Sequence, residues 1–278
     1  MLEDLRIAFI GGGNLARSLV GGLVAKGCKP GRISVSDPSP EPRALISKRF
    51  PVRMSPDGAS AVQDADVVVF AVKPQVMKTA AESIAPAVRA GKPLIISVAA
   101  GIRTGDLDRW LGGGANIVRA MPNTAALIGA GAAALYAGTG VRTEQRTTAQ
   151  AILEAVGTAL WIEDESLMDS VTAVSGSGPA YFFLLMEHME AAALELGLPP
   201  AAARQLTLQT ALGAARMALE SGEPPEALRR QVTSPKGTTA AALAVFEQQG
   251  LKATVARALT AARDRGREMA EDAGKGKS

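Results

Sequence analysis

Residues 6–26, RIAFIGGGNLARSLVGGLVAK, constrain this chain more than any other stretch. The short apolar run Ile7-Ala8-Phe9-Ile10 has the length and composition of a buried strand. Gly11, Gly12 and Gly13 follow without a spacer, and a helical pattern opens at once with Leu15, Leu19, Gly22 and Leu23 on one face. Gly11, Gly13 and Ala16 meet the G-x-G-x-x-G/A spacing of a dinucleotide turn. In that motif the first position permits a tight turn, the second lets a pyrophosphate approach the backbone, and the third lets helix and strand pack closely. The unpaired N–H groups of the helix start, with the positive end of its dipole, then face an anion. A strand, a glycine turn and a helix in this order predict a dinucleotide site. A glycine-rich turn with no ligand is the alternative that the stretch alone leaves open.

A chain of 278 residues can form one large domain or two smaller ones around a sizeable core. Hydrophobic residues make up 47% but aromatic ones only 4%, so that core is built from Ala, Val, Leu and Ile. A net charge of +3 without a basic block gives no reason to expect a nucleic-acid partner. The longest apolar runs, 67–72 and 94–100, are strand-length and too short to span a bilayer, so no membrane partner is expected. The sequence enters a strand directly, and no secretory signal is expected. Cys28 is the one cysteine, which rules out an internal disulfide and predicts a cytoplasmic location. His188 is the one histidine, so no His-based metal site is expected. It lies mid-helix with no oriented triad around it, and reads as a packed or solvated residue.

Farther along, residues 33–36 read as a second strand, ending in Ser36 and Asp37. An acidic residue there grips the ribose hydroxyls of a dinucleotide, which favours NADH over NADPH; Arg43, early in the next helix, partly offsets it. An Asp-Pro turn is the other reading of Asp37. Residues 66–71 form a nearly continuous apolar strand of the kind covered by helices on both faces. Residues 94–98 and 116–120 repeat the pattern. These three strands run into Ala71-Val72-Lys73-Pro74, Ala99-Ala100-Gly101 and Met121-Pro122-Asn123-Thr124, which converge on the edge where open α/β sheets place ligands. Residues 131–137 and 159–162 look like final strands flanking a helix over 143–156. Near residue 163 strand patterns stop and helices take over, which places a domain boundary there.

The second half opens with a helix around 166–174 and then Ser175-Gly176-Ser177-Gly178-Pro179, where Pro179 should break or kink it. Residues 180–186 are apolar on every side and predict a helix buried all round. Leu206, Thr210, Gly213 and Met217 line another helix, and a long apolar stripe from Leu251 to Met269 marks the last. So much apolar surface on so short a stretch points to helices packing against a second subunit. Residues 274–278 read as a disordered tail. Between helices lies Ser234-Pro235-Lys236-Gly237-Thr238-Thr239, where hydroxyls and free N–H groups gather at a helix start. That arrangement suits a carboxylate, and a plain Thr N-cap explains it equally.

Taken in order, IGGGNLA, AVKPQ, ISVAAG, RAMPNT, VSGSGPAY and TSPKGTT resemble the pyrroline-5-carboxylate reductase family nearly end to end. The resemblance implies an α/β Rossmann-like N-terminal domain (1–163) followed by an all-α C-terminal dimerisation domain (164–278). It also implies a homodimer formed through interlocking C-terminal helices, or a ring of dimers. The implied reaction is NADPH- or NADH-dependent reduction of 1-pyrroline-5-carboxylate, a cyclic imine, to L-proline. A protonated imine is already a good electrophile, so positioning supplies much of the rate and no metal or nucleophile is needed. The resemblance implies cofactor contacts from Gly11, Gly12, Gly13, Asn14, Leu15 and Ala16, from Ser36 and Asp37, from Ala71, Val72, Lys73 and Pro74, and from Ala99, Gly101 and Asn123. It implies a substrate-carboxylate site at Ser234 and the N–H groups of Gly237 and Thr238, with Ser175 and Ser177 lining it. Thr239 then hydrogen-bonds the ring nitrogen as the catalytic hydroxyl.

The chain departs from the family pattern at several positions. Ala125 and Pro224 stand where a Pro and a His are common, and Asp37 replaces a small polar residue. Lys236 takes the first glycine of SPGGT, where a positive φ is costly for any side chain. Rival readings are a 3-hydroxyacid dehydrogenase, whose catalytic helical lysine is missing from residues 178–190, and an imine reductase for another ring size. A nucleotide-sensing protein without turnover is the non-enzymatic rival.

Overall fold

The computed structural model describes residues 2–275. They form two compact units. One takes in the described residues up to Ser177 together with those from Ala261; the other is Gly178–Thr260.

The first unit is an α/β layer structure. Its elements in order are β1 (Ile7–Ile10), α1 (Asn14–Ala25), β2 (Ile33–Ser36), α2 (Pro40–Ser47), β3 (Arg53–Ser55), α3 (Gly58–Val62), β4 (Val67–Phe70) and α4 (Pro74–Gly91). There follow β5 (Leu94–Ser97), α5 (Thr104–Leu111), β6 (Asn116–Pro122), β7 (Gly131–Ala137), α6 (Thr143–Leu153), β8 (Gly157–Trp161) and α7 (Met168–Val171). The strands make one sheet in the order β3-β2-β1-β4-β5-β6-β7-β8. All neighbours are parallel except β6 and β7. The chain winds outward from β1 through β2 to β3, then returns to add β4 on the other side. The carboxyl ends of β1 and β4 therefore flank a topological switch point, where such sheets bind ligands.

The strands read as continuous apolar runs because both faces are covered. Ile7, Phe9, Val67, Val69 and Ile96 bury against Leu19 and Leu23 of α1 and Ile152 and Leu153 of α6. Their alternates Ala8, Ile10, Val68, Phe70 and Ile95 bury against Met77 and Ile84 of α4 and Leu107 and Leu111 of α5. At Gly22 a Cβ would lie 2.3 Å from the Ala155 carbonyl oxygen, so α1 crosses the following 3-10 turn, residues 154–156, backbone to backbone. That turn ends the helix expected over 143–156 at Leu153.

The second unit is helical: α8 (Gly178–Glu195), α9 (Pro200–Ser221), α10 (Pro225–Gln231) and α11 (Thr238–Gln248), with the opening residues of α12 (Leu251–Gly274). α8 and α9 pack on each other, burying Ala203 and Thr207. The helix expected to be buried all round at 180–186 is instead largely exposed: Phe182 and Phe183 are 63% and 64% accessible, and Leu184 and Leu185 are exposed too. The single chain has too few helices to cover an element that is apolar on all sides. Leu206, Leu212 and Met217 of α9 and Val245 and Phe246 of α11 are likewise exposed, and Gly213 meets open space. Of the tail expected from residue 274, Gly274 closes α12 and residues 276–278 lie outside the described residues. Among the described residues no helix is long and apolar enough to cross a membrane. No group of His, Cys, Asp or Glu among them is arranged to hold a metal ion.

Candidate active site

In the first unit the glycine turn is fastened from two sides. Gly11, at φ +100°, donates its N–H to the Ser36 carbonyl at 2.7 Å, and Ala71 donates to the Ile10 carbonyl at 2.8 Å. A Cβ on Gly11 would stand 2.6 Å from the Ala71 carbonyl oxygen, so only glycine fits between the ends of β1 and β4. Ala16 is fully buried, as the third motif position requires. Gly13 is the N-cap of α1, has no side-chain cap, and has nothing within 4 Å of where its Cβ would be. The first-turn N–H groups of α1, which by helix geometry lack intrahelical acceptors, thus open onto free space. A cradle of this kind fits a dinucleotide pyrophosphate. Asn14, exposed at the helix start, accepts a hydrogen bond from Arg17, and Leu15 packs partly against the core.

Of the two roles weighed for Asp37 in sequence, the turn is formed, and the carboxylate also braces the glycine turn. One carboxylate oxygen accepts the Gly12 N–H at 2.9 Å; the other accepts the Ser39 N–H at 2.9 Å and closes an Asx turn. Arg43 turns its Nη1 to the carbonyl oxygens of Asp37 and Pro38, at 2.6 and 3.0 Å, rather than to the carboxylate. The end of β2 therefore presents a partly buried anion braced against the glycine turn. Gly11, Gly12, Gly13, Ser36, Asp37, Ala71 and Val72 are brought together here. Lys73 is the exposed N-cap of α4, with Pro74 at its first position.

Farther along the sheet the picture is more structural. Ala99 is buried, and Gly101, at φ +71°, lies with its Cβ position 3.4 Å from Met269 Cβ, packed against α12. The side-chain oxygen of Asn123 accepts the Ala132 N–H at 3.2 Å and ties the end of β6 to the start of β7. Ser175 sits on a π-helical turn, residues 172–176, and Ser177 caps it, its N–H reaching the Thr172 carbonyl at 2.8 Å. Ser175 Oγ donates to the Val171 carbonyl. A Cβ on Gly176 would meet Met121 Cε at 2.5 Å, so this turn lies directly on the end of β6, the strand that leads into Asn123. The break expected at Pro179 is realised as this wide turn, after which Pro179 enters the first turn of α8.

In the second unit, the Gly237 N–H donates to the Ser234 carbonyl at 3.0 Å and closes a turn around Pro235 and Lys236. Lys236 has φ +62°. The N-cap of α11 is Gly237, without a side-chain cap, so the plain Thr cap weighed for this stretch is not what is found. Thr238 and Thr239 occupy the first turn, where N–H groups are left for an anion. His188 is exposed on α8.

Sequence reasoning passed over a buried charge cluster in the first unit. Arg119 of β6, with only 4% of its side chain accessible, lies 3.4 Å from both Glu165 and Asp169. An arginine inside an apolar strand with both faces covered is a signal that carboxylate partners exist.

Comparison with known proteins matches both halves. The family model "Pyrroline-5-carboxylate reductase dimerisation" matches residues 165–269, and "NADP oxidoreductase coenzyme F420-dependent" matches residues 6–101. The pyrroline-5-carboxylate reductase of Pseudomonas aeruginosa is 53% identical over 97% of this chain and 98% of its own length. The structure of the Coxiella burnetii pyrroline-5-carboxylate reductase superposes with a TM-score of 0.91 at 43% identity, covering 95% of this chain and 98% of that one. A Plasmodium falciparum pyrroline carboxylate reductase crystallised with NADP bound gives a TM-score of 0.86 at 28% identity, covering 97% and 100%.

Proposed function

The chain belongs to the pyrroline-5-carboxylate reductase family, and from that premise we propose how its own residues carry the reaction. It is an oxidoreductase that reduces 1-pyrroline-5-carboxylate to L-proline with NAD(P)H. When bound, the reduced nicotinamide supplies the hydride that reaches the imine carbon. The first-turn N–H groups of α1 hold the pyrophosphate, and Asp37 takes the adenosine ribose. Its negative charge, answered by two backbone N–H groups but by no ion pair among the described residues, makes a free 2′-hydroxyl the better fit, so NADH is the preferred donor. Ala71, Val72, Lys73, Pro74, Ala99, Gly101 and Asn123 frame the rest of the cofactor.

Ser234 and the N–H group of Thr238 bind the substrate carboxylate, and Ser175 and Ser177 line the site; the Gly237 N–H, expected to join them, is already donated to the Ser234 carbonyl. Thr239 Oγ1 hydrogen-bonds the ring nitrogen, which holds its proton as the secondary amine forms. The observation that supports this reading best is the helix start at Gly237. With no side chain capping it, the N–H groups of Thr238 and Thr239 remain available to a carboxylate. Residues 1–163 serve as the NAD(P)-binding domain and 164–278 as the substrate and dimerisation domain, in keeping with the family match that begins at residue 165. The protein assembles through its C-terminal helices as a homodimer or a ring of such dimers. A cytoplasmic location fits the free, buried Cys28.

The experiment is a steady-state assay of NADH and NADPH oxidation with 1-pyrroline-5-carboxylate, on the native protein and on Thr239→Val. The native enzyme turns over with both donors and has the higher kcat/KM with NADH. Thr239→Val lowers kcat/KM by about 10²-fold while cofactor affinity stays the same. Unchanged turnover removes Thr239 from this role, and no imine-dependent oxidation overturns the function.

A further inference from the structure

The cluster at Arg119 takes no direct part in the reaction described above, yet it holds the helix that leads into the turn carrying Ser175. Arg119 Nη1 is 3.4 Å from Glu165 Oε1 and its Nη2 is 3.4 Å from Asp169 Oδ1, so a single guanidinium spans two carboxylates on successive turns. Glu165 is itself fixed. Its oxygens accept the Thr104 N–H at 2.7 Å and the Thr104 hydroxyl at 2.8 Å, at the first residue of α5. Asp169 lies beside Gly266 of α12, where a Cβ would stand in ordinary contact, 3.5 Å from the Asp169 Cβ.

Asp169 belongs to α7, and α7 runs straight into the π-helical turn that bears Ser175 and is capped by Ser177. Arg119 and Met121 project from the same face of β6, two residues apart. The first holds Asp169, and the second carries Gly176. The segment from 169 to 176 is thus pinned to one strand face at both ends, once by charge and once by close packing. A π-turn is a locally strained arrangement that persists only where its surroundings hold it. A planar fork fixes direction as well as distance, which a point charge does not.

We propose that Arg119, through Asp169, is a positioning residue that sets the π-helical turn at 172–176, and with it the hydroxyls of Ser175 and Ser177, for the imine substrate. The inference rests on the reading that those serines line the substrate site. Arg119 fixes where the turn sits on β6; Glu165 supplies the second arm of the fork and ties it to the start of α5. Dinucleotide binding at the glycine turn does not depend on it.

The test compares full-length Asp169→Asn, Arg119→Lys and the double variant with Ser175→Ala/Ser177→Ala. Asp169→Asn keeps shape and removes charge, whereas Arg119→Lys keeps charge and removes the fork. Each single change is expected to raise KM for 1-pyrroline-5-carboxylate roughly tenfold with kcat within about twofold, as for a misplaced binding group. The Kd for NADH, titrated by fluorescence without substrate, stays at the native value. The double variant is no worse than the more damaging single one, because both act through one contact. A lowered melting temperature with unchanged KM, or additive effects, overturns the proposal and leaves the cluster structural. If Asp169→Asn folds poorly, Arg119→Lys carries the same comparison. If the serine variant leaves KM unchanged, the lining role of the serines fails, and this proposal with it; KM raised there but not in Arg119→Lys or Asp169→Asn defeats the proposal alone.

Discussion

At φ +62°, Lys236 holds a backbone conformation that a side chain makes unfavourable. The hydrogen bond from Gly237 to Ser234 closes a four-residue turn whose second position is Pro235 and whose third is Lys236. A turn with Pro second and a left-handed third residue is type II, and it favours glycine at that third place. The left-handed state costs an L-residue about 1–2 kcal/mol, part of which glycine returns as unfolded-state entropy. Lys236→Gly is therefore expected to stabilise the protein by about 1 kcal/mol, a rise in Tm of about 3 °C. If the ammonium also helps hold the substrate carboxylate beside Ser234, KM for the imine rises by up to about fivefold in the same variant, the scale of an exposed ion pair. Thermal unfolding and steady-state kinetics on one preparation separate the two effects. The sequence made this strain visible, because a Lys in place of a turn glycine admits only a strained turn or a different one. Other residues hid their roles. Asp37 was expected to serve either ribose or turn; the turn is formed, and its second oxygen takes the Gly12 N–H, a contact the sequence did not suggest. Gly101 reads as a site glycine in the string AAG; that its Cβ position also faces Met269 and Ala270, more than 150 residues away in sequence, is a contact no local pattern reports.

Among the elements, those legible in advance are the ones whose burial is dictated by short-range pattern. β1, β4 and β5 read as apolar runs because helices cover both faces, and α1 was legible from its glycine turn and apolar stripe. β3 was not foreseen: three residues, Arg53–Ser55, at the edge of the sheet leave too short a pattern to see. The π-turn at 172–176 has no sequence signature of its own, since its extra residue is accommodated by packing on Met121. The starts of β1 and β4 are joined by a contact whose strength depends on pH. Asp66 accepts the Arg6 N–H at 2.8 Å and the Arg6 guanidinium at 2.9 Å. The hydrogen bond from the Arg6 side chain, against the opposing effect of burial, holds the Asp66 carboxyl below the usual carboxylate range. A carboxylate depressed on folding stabilises fully above its unfolded pKa, about 3.9, and loses that contribution as pH falls through the lower folded value. The Tm difference between the native protein and Asp66→Asn is thus expected to be largest near pH 6 and to vanish as pH drops well below 3.9. Calorimetry across that range measures it; a constant difference down to the lowest pH would show that the contact is not what the acid removes.

For the molecule as a whole, the decisive fact is the apolar surface that one chain leaves uncovered. Phe182 and Phe183 are neighbours in α8, so their side chains point about 100° apart around the axis, yet both are more than 60% exposed. Leu184, Leu185, Leu206, Leu212, Val245 and Phe246 are exposed on the same unit. Soluble monomers rarely leave so much large apolar surface open to water, and the match to a dimerisation family over residues 165–269 supports the proposed cover, a second copy of the same helices. In a symmetric pair each residue counts twice. Burying the exposed part of each Phe contributes about 1.5 kcal/mol, so the four in a dimer contribute about 6 kcal/mol, roughly four factors of ten in dissociation constant. Phe182→Glu/Phe183→Glu is accordingly expected to sediment as a monomer at micromolar concentration where the native chain is dimeric or larger. Imine reduction falls with it, while NADH still binds, because the glycine turn and its braces lie within the first unit. A native chain that sediments as a monomer at that concentration, or a variant that stays associated, would place the subunit contact elsewhere on the molecule.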